Sequence, residues 1–262
     1  MRDTRLASAL DREGFAVLRG VFGPDHVAAT ARELGRVLGD VHGSVLRKPG
    51  GVVYGARNLI GLWPPATAMA FEPRVADTLE TLLGEGFGLV RSMFFDKPPS
   101  ATWSLPWHRD RAIAIKDHGT IAGDFKRPTV KAGVAHVEAP IWLLRRMATA
   151  RVALDDADDE NGPLWVVPGS HRDAGTGEAL LSLACPVPMA AGDVLVLRPL
   201  VLHRSEASRP GTARHRRTLH FEFAAASILP RGVQWHTFVG RPVESAERLG
   251  LDERPFHFRE DP

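Results

Sequence analysis

Trp107-His108-Arg109-Asp110 is the stretch on which the reading of this chain turns. His108 and Asp110 stand two apart, and on an extended strand residues two apart point to the same side. An imidazole and a carboxylate projecting together make two-thirds of a 2-His-1-carboxylate triad. Such a triad holds Fe(II) by one face and leaves the other positions open. In a chain with 11 His the tripeptide also arises by chance, so the missing His has to be found downstream, where His171, His203, His215 and His220 are the candidates.

The bulk numbers leave room for that chemistry and remove several others. The 262 residues, 44% hydrophobic and 24% charged, are those of a soluble globular protein with a sizeable core. Lys+Arg of 33 against Asp+Glu of 31 forms no block of one sign, so charge gives no indication of a nucleic-acid partner. Cys185 is the only cysteine. That rules out an intramolecular disulfide and a thiolate zinc cluster, and it fits a reducing cytoplasm. The first ten residues are not a secretory signal, and no apolar run is long enough to span a membrane.

From the N-terminus, residues 4–13 read as an amphipathic helix ended by Gly14, and Phe15–Leu18 as a strand. Pro24 opens a helix to about Leu38, and Pro73 another to Leu83. Residues 40–72 give no clear element. Strands are expected over 87–95, 104–116, 149–154, 164–167, 194–197 and 216–223, with 117–146 a long irregular segment and a candidate substrate lid. The acidic run Asp155–Glu160 reads as a solvated turn. Helices first and short strands afterwards predict a mainly β (α+β) chain, a sandwich or barrel with a helical face. No linker is marked. One domain is expected over 1–262, with a helical region at 1–86, a core at 87–225 and a C-terminal segment at 226–262, as a monomer or small homo-oligomer.

Four features in order resemble the phytanoyl-CoA dioxygenase (PhyH) family of Fe(II)/2-oxoglutarate oxygenases. They are Met93…Lys97-Pro98-Pro99 before His108-x-Asp110; Leu154-Asp155-Asp156 with Asn161-Gly162-Pro163-Leu164; Val167-Pro168-Gly169-Ser170-His171; and His203-Arg204-Ser205 followed by Arg216-Arg217-Thr218-Leu219. The resemblance covers roughly residues 85–223. It implies a double-stranded β-helix (jelly-roll, cupin-like) core with the N-terminal helices packed on one sheet. It implies His108, Asp110 and His203 as iron ligands, and Arg216 on the far carboxylate of 2-oxoglutarate, with Ser205 and Met93 nearby. Fe(II), 2-oxoglutarate and O2 would then serve hydroxylation of an unactivated C–H of a small molecule, releasing succinate and CO2. A halogenase of this type needs the carboxylate position vacated, so a retained Asp110 favours hydroxylation.

Several points depart from the family pattern or stay open. The His-to-Arg interval is longer than usual, and Arg214 keeps the usual interval while Arg216 keeps the usual following residues. Arg217 shares strand parity with Leu219, Phe221 and Phe223, so Arg217 and Arg214 stand behind Arg216. Arg151 occupies a position where some relatives carry an aromatic residue. His171 reads as a structural turn residue, His220 as a core or pocket residue, Trp107 as packing, and Trp142 and Met147 as core. Lys116, His118, Lys126 and Lys131 read as solvated, with one of them a candidate to meet an acidic substrate. No basic cluster is placed for the phosphates of CoA. The alternatives are a non-catalytic jelly-roll binding protein, and a metal enzyme of another class, such as a zinc hydrolase, built on the same His/Asp/His.

Overall fold

The computed structural model describes residues 4–242, apart from 42, 120, 122, 173–174 and 176–177. Phe256, His257 and Phe258, expected in the C-terminal segment, lie outside the described residues. Helix α1 (Thr4–Arg12) leads into strand β1 (Phe15–Leu18). Helix α2 (Pro24–Asp40) has proline in its first turn, where the missing N–H would have had no helical partner. Residues 40–72, unassigned from sequence, hold β2 (Val45–Arg47), β3 (Val53–Arg57), α3 (Leu59–Leu62) and α4 (Ala66–Ala70). Each is too short to display a period, and the two strands are held by pairing rather than by pattern. Helix α5 (Pro73–Leu83) is capped by Glu72, whose carboxylate accepts from the Val75 N–H at 3.1 Å.

Strand β4 (Gly88–Phe95) begins the core. The single strand expected over 104–116 is two, β5 (Leu105–His108) and β6 (Ala112–Ile115), with the acid of the His-x-Asp run between them. The expected irregular segment 117–146 contains a hairpin, β7 (Lys126–Lys131) and β8 (Val134–Glu138), and a helical turn at Ile141–Leu144. Strand β7 is polar and exposed, contains Pro128 and holds Arg127 at φ 50°, so it shows no apolar alternation and reads as loop. There follow β9 (Met147–Ala153), β10 (Leu164–Val166), β11 (Cys185–Val187), β12 (Val194–Leu197), β13 (His203–Ser205), β14 (Thr218–Ala224) and β15 (Val239–Gly240).

Among the described residues the large sheet runs β1-β12-β9-β14-β4-β3-β2, with β15 also on β4. A second sheet runs β11-β10-β13-β5, and a third β6-β8-β7. On β14, Leu219, Phe221 and Phe223 alternate with Thr218, His220 and Glu222, and the strand sends each set to its own face. The first set joins Ala150, Val152 and Val196 in a core closed by Leu10 of α1, Leu34 and Leu38 of α2, and Leu79 of α5. Phe223 meets Phe71 edge-on at 5.7 Å. Full burial of each such ring contributes roughly 1.5–3 kcal/mol. The second set faces the small sheet across a cavity. The architecture is a mainly β jelly roll whose N-terminal helices cover the outer face of one sheet. No helix among the described residues is long and apolar enough to cross a membrane.

Candidate metal centre

Strands β5 and β13 pair antiparallel, and His108 is the cross-strand partner of His203. Their ring centroids lie 4.2 Å apart. Asp110 does not reach them by strand parity. The strand has ended at His108, and the Asp110 N–H donates to Pro199 O at 2.9 Å across a bend. Its carboxylate nevertheless sits 3.5 Å from each Nε2, through Oδ1 to His108 and through Oδ2 to His203. One donor atom from each of the three lies within 4.8 Å of the others.

The proton positions suit a cation. His108 Nδ1 donates to Pro106 O and His203 Nδ1 to Val201 O, both at 2.8 Å. A carbonyl only accepts, so in the neutral ring Nδ1 carries the hydrogen and Nε2 turns a lone pair inward; such outer hydrogen bonds orient metal-binding imidazoles. Burial pushes the His203 imidazole down to about 3, so it is neutral at pH 7. Burial works to raise the Asp110 carboxyl, but its polar neighbours, with the Arg151 guanidinium 3.4 Å away among them, outweigh it and hold the acid well below the usual carboxylate range. Two imidazole nitrogens and one carboxylate are a donor set that fits Fe(II).

Arg151, on β9, stands beside this group. Its Nη2 is 3.4 Å from Asp110 Oδ2 and 3.3 Å from His203 Nε2, and its buried Nε has no hydrogen-bond partner among the described residues. The cluster forms one wall of a cavity of about 720 Å³ between the large and small sheets.

The three arginines left open by the sequence go to three places. Arg214 pairs with Asp158 at 2.8 Å and Glu160 at 3.1 Å on the surface. Arg217 is held by Asp155 through two bonds, at 2.8 and 2.6 Å. Arg216 alone of the three lines the cavity. It donates from Nη1 to Gly162 O at 3.0 Å, and its Nε is without a partner among the described residues. Burial and the Arg151 charge push its guanidinium down to about 10, so it stays charged. Ser205 and Met93 also line the cavity, with Ser205 Oγ accepting from Lys97 Nζ at 2.7 Å.

Some residues matter here that sequence reasoning passed over. Lys97, noted only within a Lys-Pro-Pro run, is fully buried. It donates to Gly162 O, the carbonyl that also accepts from Arg216. Glu222 is buried in the cavity wall between Arg91, at 2.9 Å, and His220, at 3.3 Å. An acid inside an otherwise apolar alternating strand was the available signal. His220, left between core and pocket, lines the cavity. His171 packs where Gly14 lacks a Cβ, and His215 pairs with Asp96 at 2.8 Å, so neither joins the cluster. Trp107 shares the Arg204 guanidinium with Trp165, at 5.1 Å from each ring. Met147 is in the core as expected, but Trp142 is 45% exposed, on the outside of a short helical turn.

Residues 10–216 match the phytanoyl-CoA dioxygenase (PhyH) family. The chain belongs to that family. An ectoine dioxygenase of Sphingopyxis alaskensis is similar to this PhyH chain at 27% identity over 173 residues, 64% of this chain and 49% of that protein. The mouse phytanoyl-CoA dioxygenase domain-containing protein 1 is 29% identical over 132 residues, 41% of this chain and 45% of that protein. The PhyH chain thus spans about half the length of the curated relatives it matches. Among solved structures, EctD from S. alaskensis with 2-oxoglutarate and 5-hydroxyectoine superposes with a TM-score of 0.65 at 22% identity, covering 86% of this chain and 76% of that one. AviO1 from Streptomyces viridochromogenes Tue57 does so with a TM-score of 0.62 at 24% identity, covering 88% and 99%. These likenesses show that the PhyH chain has the jelly-roll fold of those proteins.

Proposed function

We propose that this PhyH-family chain acts as one Fe(II)- and 2-oxoglutarate-dependent dioxygenase domain that hydroxylates an unactivated C–H of a small molecule, in the cytoplasm, with release of succinate and CO2. The observation that carries the reading is the placement of His108, Asp110 and His203 within 4.8 Å on the wall of a cavity that also holds Arg216, a buried cation with no carboxylate partner among the described residues. His108 Nε2, His203 Nε2 and an Asp110 oxygen would hold the iron. Iron and 2-oxoglutarate together supply the oxidising power, by oxidative decarboxylation with O2. The protein's share is orientation and exclusion of water. The planar fork of Arg216 suits the distal carboxylate of 2-oxoglutarate, which it can take through two parallel N–H groups. Ser205 presents a hydroxyl beside it, and Met93 forms apolar wall.

Two features favour hydroxylation over the alternatives. Asp110 occupies the position a halide would need. A zinc hydrolase would tolerate the same three ligands but has no use for a buried arginine placed to receive a second carboxylate. Fe(II) added anaerobically with 2-oxoglutarate should produce a weak visible charge-transfer band that His108→Ala abolishes, and Asp110→Ala should lose hydroxylation. Absence of the band, with no succinate formed from any substrate, overturns the reading.

A further inference from the structure

The cavity carries far more positive charge than the cosubstrate needs. Among the described residues eight Arg and Lys side chains line it against three carboxylates, Asp110, Glu138 and Glu222. Four of these cations pair with the acids, and Arg109 and Arg216 donate to backbone carbonyls. Arg91 pairs with Glu222, Arg111 and Arg127 with Glu138, and Arg151 with Asp110. Arg57 and Lys131 have no carboxylate partner among the described residues. The Arg57 guanidinium makes a weak contact instead, Nη1 to Met93 Sδ at 3.9 Å.

Both groups are half-buried, and both line the main cavity and a small adjoining chamber. They come from different regions of the fold. Arg57 is on β3 of the large sheet, and Lys131 ends β7 of the hairpin. Each is electrostatically penalised where it stands. Burial lowers the Arg57 guanidinium, and Arg91 adds to this; burial lowers the Lys131 ammonium, with Arg91 and Arg57 adding to it. Three cations kept close together and partly dry, with one acid among them, are a site that an incoming anion would relieve.

The site is also separate from the metal centre. Register places Arg57 opposite Met93, Met93 opposite His220, and His220 opposite Arg151, in one row across β3, β4, β14 and β9. Three strand spacings separate the backbones of the two arginines, about 14 Å. We propose that the substrate carries an anionic group, a carboxylate or a phosphate, that docks between Arg57 and Lys131 and lays the rest of the molecule along this row toward His108, Asp110 and His203. The inference rests on the oxygenase reading for its direction. The β7–β8 hairpin then contributes substrate recognition through the one lysine it turns into the cavity.

The test uses the protein loaded anaerobically with Fe(II) and saturating 2-oxoglutarate, so that Arg216 is already engaged. Hexanoate, octanoate, decanoate and hexyl phosphate are titrated by calorimetry beside the matching amides and hexanol. The anions should bind at least tenfold more tightly than their neutral counterparts, and the preference should shrink in high salt. Arg57→Gln and Lys131→Gln should each remove most of it while leaving the neutral compounds unaffected. Lys131 lies on the hairpin, outside the main core, so its variant remains informative if Arg57→Gln does not fold. Preference for carboxylates over the phosphate, or the reverse, assigns the head group. Anions that bind no better than neutral compounds, or that bind the Lys131→Gln protein as they bind the wild type, overturn the inference. If the charge-transfer band forms in the same samples, the oxygenase reading survives that failure.

Discussion

Nη2 of Arg151 lies 3.4 Å from Oδ2 of Asp110. The guanidinium therefore neutralises the one anionic member of the His108, Asp110 and His203 cluster, and it stands where it would repel a divalent cation. Like charges about 4 Å apart repel by roughly 4 kcal/mol at an effective dielectric of 20. Adding 2-oxoglutarate reverses the balance, because its two negative charges favour a nearby cation. Arg151→Gln should thus bind Fe(II) alone more tightly, by about tenfold or more, and 2-oxoglutarate more weakly by a similar factor. Anaerobic titrations with each component separately would show this, and shifts of the same sign would refute it.

Arg216 should be intolerant of the conservative change. Hydrogen bonds to a charged group contribute about 1.5–3 kcal/mol, and an ammonium cannot reproduce a planar two-pronged contact. Arg216→Lys should raise the KM for 2-oxoglutarate by roughly tenfold to a hundredfold. Arg214→Ala, which loses only surface pairs with Asp158 and Glu160, should leave that KM unchanged. Succinate formation at varied 2-oxoglutarate measures both.

Gly162 holds the Arg216 end of the cavity. Its φ is 75°, and a Cβ there would meet Glu206 O at 2.2 Å. Its own carbonyl accepts from both Lys97 and Arg216. Gly162→Ala forces the loop to move, adding a steric clash to the roughly 1–2 kcal/mol cost of a left-handed alanine. The melting temperature should fall by about 5 °C or more, with 2-oxoglutarate binding lost in parallel. A variant as stable as wild type would show that the close approach to Glu206 does not hold the loop.

His136 makes stability depend on pH. It is 2% exposed, its Nδ1 faces Val134 O at 2.9 Å, and burial pushes it down to about 4. Between about pH 4 and the ordinary histidine value of about 6.5 the unfolded chain binds the proton and the folded chain does not. The contribution is therefore fully present above that window and is lost as pH falls through it. Urea midpoints should drop from pH 7 to pH 5, and His136→Gln should make the drop shallower. An unchanged slope in the variant would assign the effect to other buried histidines.

Much of the fold and of the His108, Asp110 and His203 cluster was legible in the chain itself. The alternation Leu219, Phe221, Phe223 against His220 and Glu222 is local, and it determines a strand with one oily face. Pro24 and Pro73 mark helix starts because a proline is tolerated in the first turn and opposed further in. The His108-x-Asp110 run pointed to the cluster with His203, although the acid arrives after the strand has ended. The choice among Arg214, Arg216 and Arg217 was not legible, because it depends on which neighbour neutralises each one. Asp155, Asp158 and Glu160 come from a turn more than fifty residues away in sequence, and their pairings remove two of the three. The hairpin carrying Lys131 was hidden for a related reason, since an exposed polar edge strand is specified by its partner and not by its own pattern. Sequence alone determined the longer helices, the apolar strands and the candidate ligands. Only the tertiary structure decided which charges meet, because those contacts are made between sheets whose pairing joins distant stretches of the chain.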